Sequence, residues 1–402
     1  MTTTPISTHE GQWQRRFGDS LMKSLATPKV MLERGSGCEV WDVDGKRYLD
    51  FLAGIAVNAL GHAHPVLVEA LSKQAATLIH VSNYFATPSQ VELAERLKRI
   101  SGAGDRGRVY YGNSGAEANE AAFKLLRLNK GDGSRTRILA LQSSFHGRTM
   151  GALALTGKPS LREPFEPMLP GVEHIDTTIE ALEQAMDDRV AGIVIEPIKG
   201  EAGVVDLPEG FLQRARELTT EHGALLILDE IQTGIGRTGT WFTFQQLGVV
   251  PDAITVAKGI AGGVPIGALI TFGDTSDLFE AGQHGSTFGG NPLATTAANA
   301  VLGEIESAGL LENAALRGRQ LREAIATIDS PLVAEIRGRG LLIGVGLAEP
   351  IANEVSARAL DAGLIINAAN DSSIRIAPPL IVGDAAIEEF RAIFASVLKG
   401  LE

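Results

Sequence analysis

Leu225-Leu226-Ile227-Leu228-Asp229-Glu230-Ile231-Gln232 and Ala253-Ile254-Thr255-Val256-Ala257-Lys258-Gly259 decide the fold of this chain. Each begins as a short continuous apolar stretch of the kind that forms a strand buried on both faces. The first ends in a carboxylate, the second in an amine, and a glycine-containing turn follows each. In open α/β sheets chemistry collects beyond the carboxyl ends of the strands, which is where both charged groups would stand.

Working outward, further strands are expected at 108–111, 137–142, 192–196 and 267–271, with these two runs at 224–229 and 253–257. Amphipathic helices are expected between them, for example over 89–100, 116–128 and 208–222. The alternation predicts an α/β fold, a mostly parallel central sheet covered on both faces by helices. Upstream, Glu39 to Asp50 reads as a β-hairpin turning at Asp44-Gly45. The first 35 residues read as a polar arm with a short helix around Phe17 to Leu25. After Asn291-Pro292, an Ala-rich helix at about 297–308 leads into a smaller αβ segment. The resulting division is an N-terminal arm and hairpin (1–65), a large domain (66–295) and a small C-terminal domain (296–402).

With 402 residues, 44% of them hydrophobic, the chain can bury a large core. Its formal net charge is -12, and no basic block interrupts the sequence. That balance argues against nucleic acid and anionic membranes as partners, and leaves an anionic substrate to individually placed arginines. The single cysteine, Cys38, excludes an intramolecular disulfide and a cysteine-based zinc site. With no secretory leader pattern and no apolar run long enough to span a bilayer, a cytoplasmic, reducing location is expected.

An aspartate and a lysine at the ends of two buried strands suit pyridoxal phosphate. The amine forms a Schiff base and the carboxylate keeps the pyridinium nitrogen protonated; a buried Asp–Lys ion pair is the alternative. Asn113 to Glu120 follows one strand and opens a helix, whose first N–H groups lack internal partners and favour an anion. Ser114 with Glu117 forms a candidate capping box there, so ordinary capping is the competing reading. In Ser144-Phe145-His146-Gly147-Arg148, the aromatic could stack on a pyridine ring and the arginine hold a carboxylate. Ile231, two residues beyond Asp229, would share its face if the strand continued, and Gln232 could reach another ring substituent. Gly285 to Pro292 offers the hydroxyls of Ser286 and Thr287. Gly234 to Gly239 has the wrong spacing for a dinucleotide fingerprint. His62 and His64 lack a third ligand, so no metal site is expected.

These motifs, together with Glu196-Pro197, stand in the order they hold in the class-III pyridoxal-phosphate aminotransferases, which the chain resembles from about Val30 to its end. The resemblance implies a fold-type-I transferase and an obligate homodimer with shared active sites. It implies Lys258 as the Schiff-base lysine, Asp229 as partner of the ring nitrogen, Phe145 stacked on the ring and Gln232 on its phenolic oxygen. Glu230 and Ile231 fall in the same cofactor-binding segment. Ser114, Gly115 and Ala116 would hold the phosphate, with Thr287 of the partner subunit completing that site. Asp50 to Asn58 and Gly61 to Pro65 are similar to the branch that uses N-acetyl-L-ornithine and 2-oxoglutarate, for arginine biosynthesis. There Arg148 and Ser286 would contact substrate, and Glu201 with Arg375 would form a gate. The alternatives are another ω-aminotransferase, with ornithine, 4-aminobutyrate or succinyl-diaminopimelate as donor, and an aminomutase. Lys199 stands where the family pattern has glutamine, and would place a positive charge near Glu201.

Overall fold

In the computed structural model, residues 12–402 are described. The first helix, Gln12–Ser20, lies earlier than expected. Trp13 is its buried anchor, whereas Leu21, Met22 and Leu25 are exposed and give a later helix no face to bury. The rest of the arm, up to residue 11, lies outside the described residues. Strands β1 (Leu32–Ser36), β2 (Glu39–Asp42) and β3 (Arg47–Asp50) form an antiparallel ribbon. Gly45, with φ of +84°, takes the turn where only glycine is unstrained.

The central sheet has seven strands: β4 (Arg108–Gly112), β5 (Arg137–Leu141), β6 (Val172–Ile175), β7 (Val190–Ile195), β10 (Leu225–Asp229), β11 (Ala253–Val256) and β12 (Gly267–Thr271). A two-residue ribbon, β8 (Ile198–Lys199) with β9 (Val205–Asp206), separates β7 from β10. The order across the sheet is β4-β12-β11-β10-β7-β5-β6. All neighbours are parallel except at β12, which runs antiparallel to both β11 and β4. Strands β7, β10, β11 and β12 are buried at every position, as a helix-covered sheet requires. β6 had not been foreseen, because Val-Glu-His-Ile is a mixed, partly exposed edge segment.

The helix expected at about 297–308 begins at Pro292 and ends at Ser307. Asn291 caps it, its Oδ1 accepting from the Ala294 N–H at 2.9 Å, and Pro292 supplies a preset first helical residue. Beyond it lies a second sheet of β13 (Val333–Arg339), β14 (Leu342–Leu347), β16 (Asn367–Asn370) and β17 (Ser373–Ile376), in the order β13-β14-β17-β16. The short β15 (Leu364–Ile365) leaves this region and pairs in parallel with β3. Phe51 stacks on Phe390 of the last helix at 4.8 Å, so the N-terminal ribbon and the C-terminal segment share packing. Among the described residues no helix is long and apolar enough to cross a membrane.

Candidate active site

Asp229 is the last residue of β10 and pairs in register with Thr255 of β11, three residues before Lys258. The strands therefore deliver carboxylate and amine side by side at the carboxyl ends of two interior strands of the sheet. Lys258 has φ of +46°, a left-handed conformation uncommon outside glycine and often found at functional positions. Both groups line a cavity of about 390 Å³, together with Ser114, Gly115, Ala116, Phe145, Arg148, Ile231 and Gln232. Nine of the expected site residues thus meet in one place.

The Asp229 carboxylate is held on all sides. Its Oδ2 accepts from Asn119 Nδ2 at 2.8 Å and lies 2.7 Å from His146 Nδ1, while Oδ1 accepts from the Ile231 N–H at 3.0 Å. Burial opposes charging of His146, but its contact with Asp229 raises its affinity for a proton. Burial also lowers the Lys258 pKa to about 8, with Arg375 acting in the same direction. The lysine can thus lose its proton near neutrality.

Ser114 caps the helix Gly115–Leu128, its Oγ accepting from the Glu117 N–H at 3.1 Å. The Glu117 carboxylate reaches back to the N–H and side-chain amide of Asn113, one residue before the N-cap. This is a shifted version of the capping box expected. The first intrahelical bond runs from Ala118 to Ser114, so the N–H groups of Gly115 and Ala116 are left to an anion. A Cβ on Gly115 would stand 2.8 Å from the Ile231 side chain, which would have to shift to admit it. Ile231 lies in the turn after β10. Its place in the wall comes from that turn and from no continuing strand face.

Glu230 is turned away from the cavity. It is fully buried, accepting from the Thr233 hydroxyl and from the Phe244 N–H at 2.9 Å. Successive side chains at a strand end point to opposite faces, so its carboxylate, unlike that of Asp229, does not line the cavity. Ser286 lies beside the cup, its Oγ accepting from Asn113 Nδ2 at 3.2 Å, and Thr287 is exposed. Neither lines the cavity of this chain.

Arg375 is only 1% exposed and is paired with Glu201. Its Nη1 also donates to Gln232 Oε1 at 3.1 Å, and its Nε to Asn367 Oδ1 at 3.0 Å. Through Gln232, this pair touches the cavity. Burial works against ionising Glu201, but Arg375 outweighs it and holds the carboxyl pKa below its ordinary value. Lys199 does not approach Glu201 as expected. Its Nζ turns toward Thr177 Oγ1 at 2.9 Å and the Gln142 carbonyl. Besides Arg375, Lys158 stands beside Glu201, donating to its backbone carbonyl at 2.8 Å.

Three buried groups were overlooked as site residues: His146, Asn119 and Glu196. Glu196 lines the cavity, its carboxylate accepting from the Phe145 N–H at 2.7 Å and the Gly200 N–H at 3.2 Å. Burial raises its pKa to about 7. The available signal was polarity inside apolar surroundings, as with Asn119 on an Ala- and Leu-rich helix.

The family model for "Aminotransferase class-III" matches residues 22–398. The chain belongs to the class-III aminotransferases. An acetylornithine aminotransferase of Mycobacterium tuberculosis is 48% identical over 396 residues, covering 98% of each chain. One from Streptomyces coelicolor is 49% identical over 385 residues, covering 95% of this chain and 94% of that one. Among solved structures, ornithine aminotransferase from Toxoplasma gondii superposes with a TM-score of 0.91 at 32% identity, covering 97% of this chain and 94% of that one. N-acetylornithine aminotransferase from Stenotrophomonas maltophilia gives a TM-score of 0.82 at 36% identity, with 93% and 96% covered. Class-III aminotransferases use pyridoxal phosphate, and a second structure of the Toxoplasma enzyme is described with that cofactor at its active site. The cavity fits it, having an amine of lowered pKa, a fixed carboxylate, an aromatic side chain and unbonded helix N–H groups within one enclosure.

Proposed function

We propose that this class-III aminotransferase moves an amino group from N-acetyl-L-ornithine to 2-oxoglutarate, giving N-acetyl-L-glutamate 5-semialdehyde and L-glutamate. It would serve arginine biosynthesis in the cytoplasm, as a homodimer with shared active sites. The observation that carries the reading is the pair of arginines. Arg148 is exposed and lines the cavity, whereas Arg375 is buried and already neutralised by Glu201. The donor reacts at an amine far from its carboxylate. The acceptor has one carboxylate beside the reacting carbon and one distant from it. Arg148 would take the distant carboxylate of both substrates. Arg375 would take the near carboxylate of 2-oxoglutarate, and Glu201 would replace that anion when the donor is bound. A buried guanidinium without a counter-charge is costly, so it needs an anion in each half of the cycle.

Bound pyridoxal phosphate supplies an electrophilic carbon and a ring that withdraws electrons from the substrate carbon. Lys258 would hold the cofactor through its amine and, when free, would carry a proton to and from the substrate carbon. Asp229, fixed by Asn119, His146 and the Ile231 N–H, keeps a proton on the ring nitrogen. Gly115 and Ala116, with Ser114, receive the phosphate. Phe145 would pack on the ring and Gln232 would contact its oxygen. The exposed Thr287 and the neighbouring Ser286 would act across the dimer, Thr287 at the partner's phosphate and Ser286 toward substrate. Large exposed apolar side chains near that loop, Tyr84, Phe85 and Phe288, support a covered face there.

The test is a panel of single half-reactions. Purified enzyme is mixed with N-acetylornithine, ornithine, 4-aminobutyrate or succinyl-diaminopimelate, and the cofactor absorbance is followed. N-acetylornithine should react fastest. Faster conversion by another amine would replace the donor, and amino-group migration within one substrate without 2-oxoglutarate would indicate a mutase.

A further inference from the structure

The sequence contains no basic block, yet the fold gathers four cations at one place. Lys124, Arg127, Lys130 and Arg135 line a cavity of about 600 Å³ at the C-terminal end of the helix Gly115–Leu128, larger than the cofactor cavity and lined by no acidic residue. Among the described residues, none of the four forms an ion pair. The contrast with Arg137 is sharp, since that residue pairs with both Glu173 and Asp187. Asp132 lies in the intervening turn, but it accepts from the Ser134 N–H at 3.0 Å and does not line the cavity.

The two guanidinium groups are held by neutral acceptors. Arg127 donates to the Pro170 carbonyl and lies over the Phe123 ring at 5.2 Å. Arg135 donates to the His222 carbonyl at 3.0 Å and to Asn129 Oδ1 at 3.2 Å. Lys124 Nζ lies 3.2 Å from His284 Nδ1. The arginine positions are thus fixed by neutral groups, and only the exposed Asp132 acts electrostatically on Arg135. The helix dipole favours cations at its C-terminal end, which accounts for Arg127 in the last turn and Lys130 just beyond it. It explains neither Lys124, one turn earlier, nor Arg135, beyond the following loop. A concavity lined by one sign of charge concentrates the opposite sign, and here it does so on a protein whose net charge is -12.

We propose that this cavity is a binding site, one per chain, for a small anion with two or more negative charges. Phosphate is the group that suits its two arginine forks and two ammonium groups. Leu128 and Phe279 give it an apolar wall, which suits phosphate carried on an organic body.

The experiment uses holoenzyme, whose phosphate cup is filled, and titrates inorganic pyrophosphate at low ionic strength by calorimetry. Wild type should bind one equivalent per chain, more weakly as salt is added. Lys124→Gln with Lys130→Gln should weaken binding at least tenfold. Lys73→Gln with Lys399→Gln, which removes two exposed charges elsewhere, should leave it unchanged. If the double variant does not fold, Lys130→Gln alone should still weaken binding severalfold. Absence of saturable binding by wild type would overturn the site, as would equal losses in the pocket and control variants. The outcome is independent of which amino donor the enzyme uses.

Discussion

His146 and Asp229 form a closed pair at the floor of the cofactor cavity. The ring Nδ1 lies 2.7 Å from Oδ2, while the other ring nitrogen, Nε2, is buried without any partner. A partnerless buried nitrogen is costly. Its retention is explained if the ring serves to fix the carboxylate and favour its ionised form.

Asp229→Asn keeps the size and removes the anion. The fold should survive while both half-reactions slow on the order of 100- to 1,000-fold, the usual scale for a preorganised charge. His146→Ala should cost less, because Asn119 and the Ile231 N–H still hold the carboxylate. Stopped-flow absorbance measures both, and near-normal rates in Asp229→Asn would remove its assigned role.

Lys258→Ala should abolish borohydride-stable attachment of cofactor to protein, read by mass spectrometry; a labelled peptide containing another lysine would move the assignment. In wild type, only the deprotonated amine attacks an aldehyde. With the Lys258 pKa lowered to about 8 by burial, capture of pyridoxal phosphate by apoenzyme should accelerate as pH rises toward 8 and level off above it. A rise continuing to about 10.5, the unperturbed lysine range, would show that burial does not act as described.

Arg375→Ala should impair the 2-oxoglutarate half-reaction by about 1.5–3 kcal/mol, the worth of a hydrogen bond to a charged group, or roughly 10- to 150-fold. The N-acetylornithine half should change far less. Glu201→Ala should do the reverse, leaving Arg375 free for α-carboxylates and raising glutamate turnover relative to N-acetylornithine. Equal losses in both halves for Arg375→Ala would sink the gate.

If Thr287 completes the partner's phosphate site, mixing Lys258→Ala with Thr287→Ala protein should generate heterodimers carrying one intact site. Activity should rise above that of either parent as subunits exchange. No rise, with exchange verified by mass, would count against sharing.

Glu230 makes a prediction about stability. Burial raises its pKa from 4.5 to about 7, so between those values the folded protein keeps a proton that the unfolded chain has released. Stability should therefore fall as pH rises through that window and flatten above about 7. Glu230→Gln should reduce the slope of Tm between pH 5 and 7, measured by calorimetry. An unchanged slope would place the effect elsewhere, for instance on Glu196, whose pKa is raised in the same way.

Legibility followed the physics of each feature. Continuous apolar runs such as Leu225 to Leu228 announce buried strands, and the chemistry-bearing residues at their ends were readable at once. Edge strand β6 was not, because a half-exposed strand carries no clear period. Asp229 and Glu230 are adjacent carboxylates, and which one faced the cavity depended on strand parity. Lys199 was misplaced because sequence proximity to Glu201 says nothing of direction. Three-dimensional groupings assembled from distant segments, such as Asn119 and His146 around Asp229, leave only the faint trace of a polar residue among apolar ones.

The pairing of β15 with β3 also governs the order in which the molecule can be assembled. During synthesis the ribbon emerges first, yet the strand that completes its sheet is made only after the whole central sheet. Until then the free side of β3 is an unpaired edge, open to strands of other chains, and Phe51 waits uncovered for Phe390. Contacts that close over almost the whole chain form slowly, so this seam should be the last part of the protein to fold and the place where incomplete chains associate wrongly.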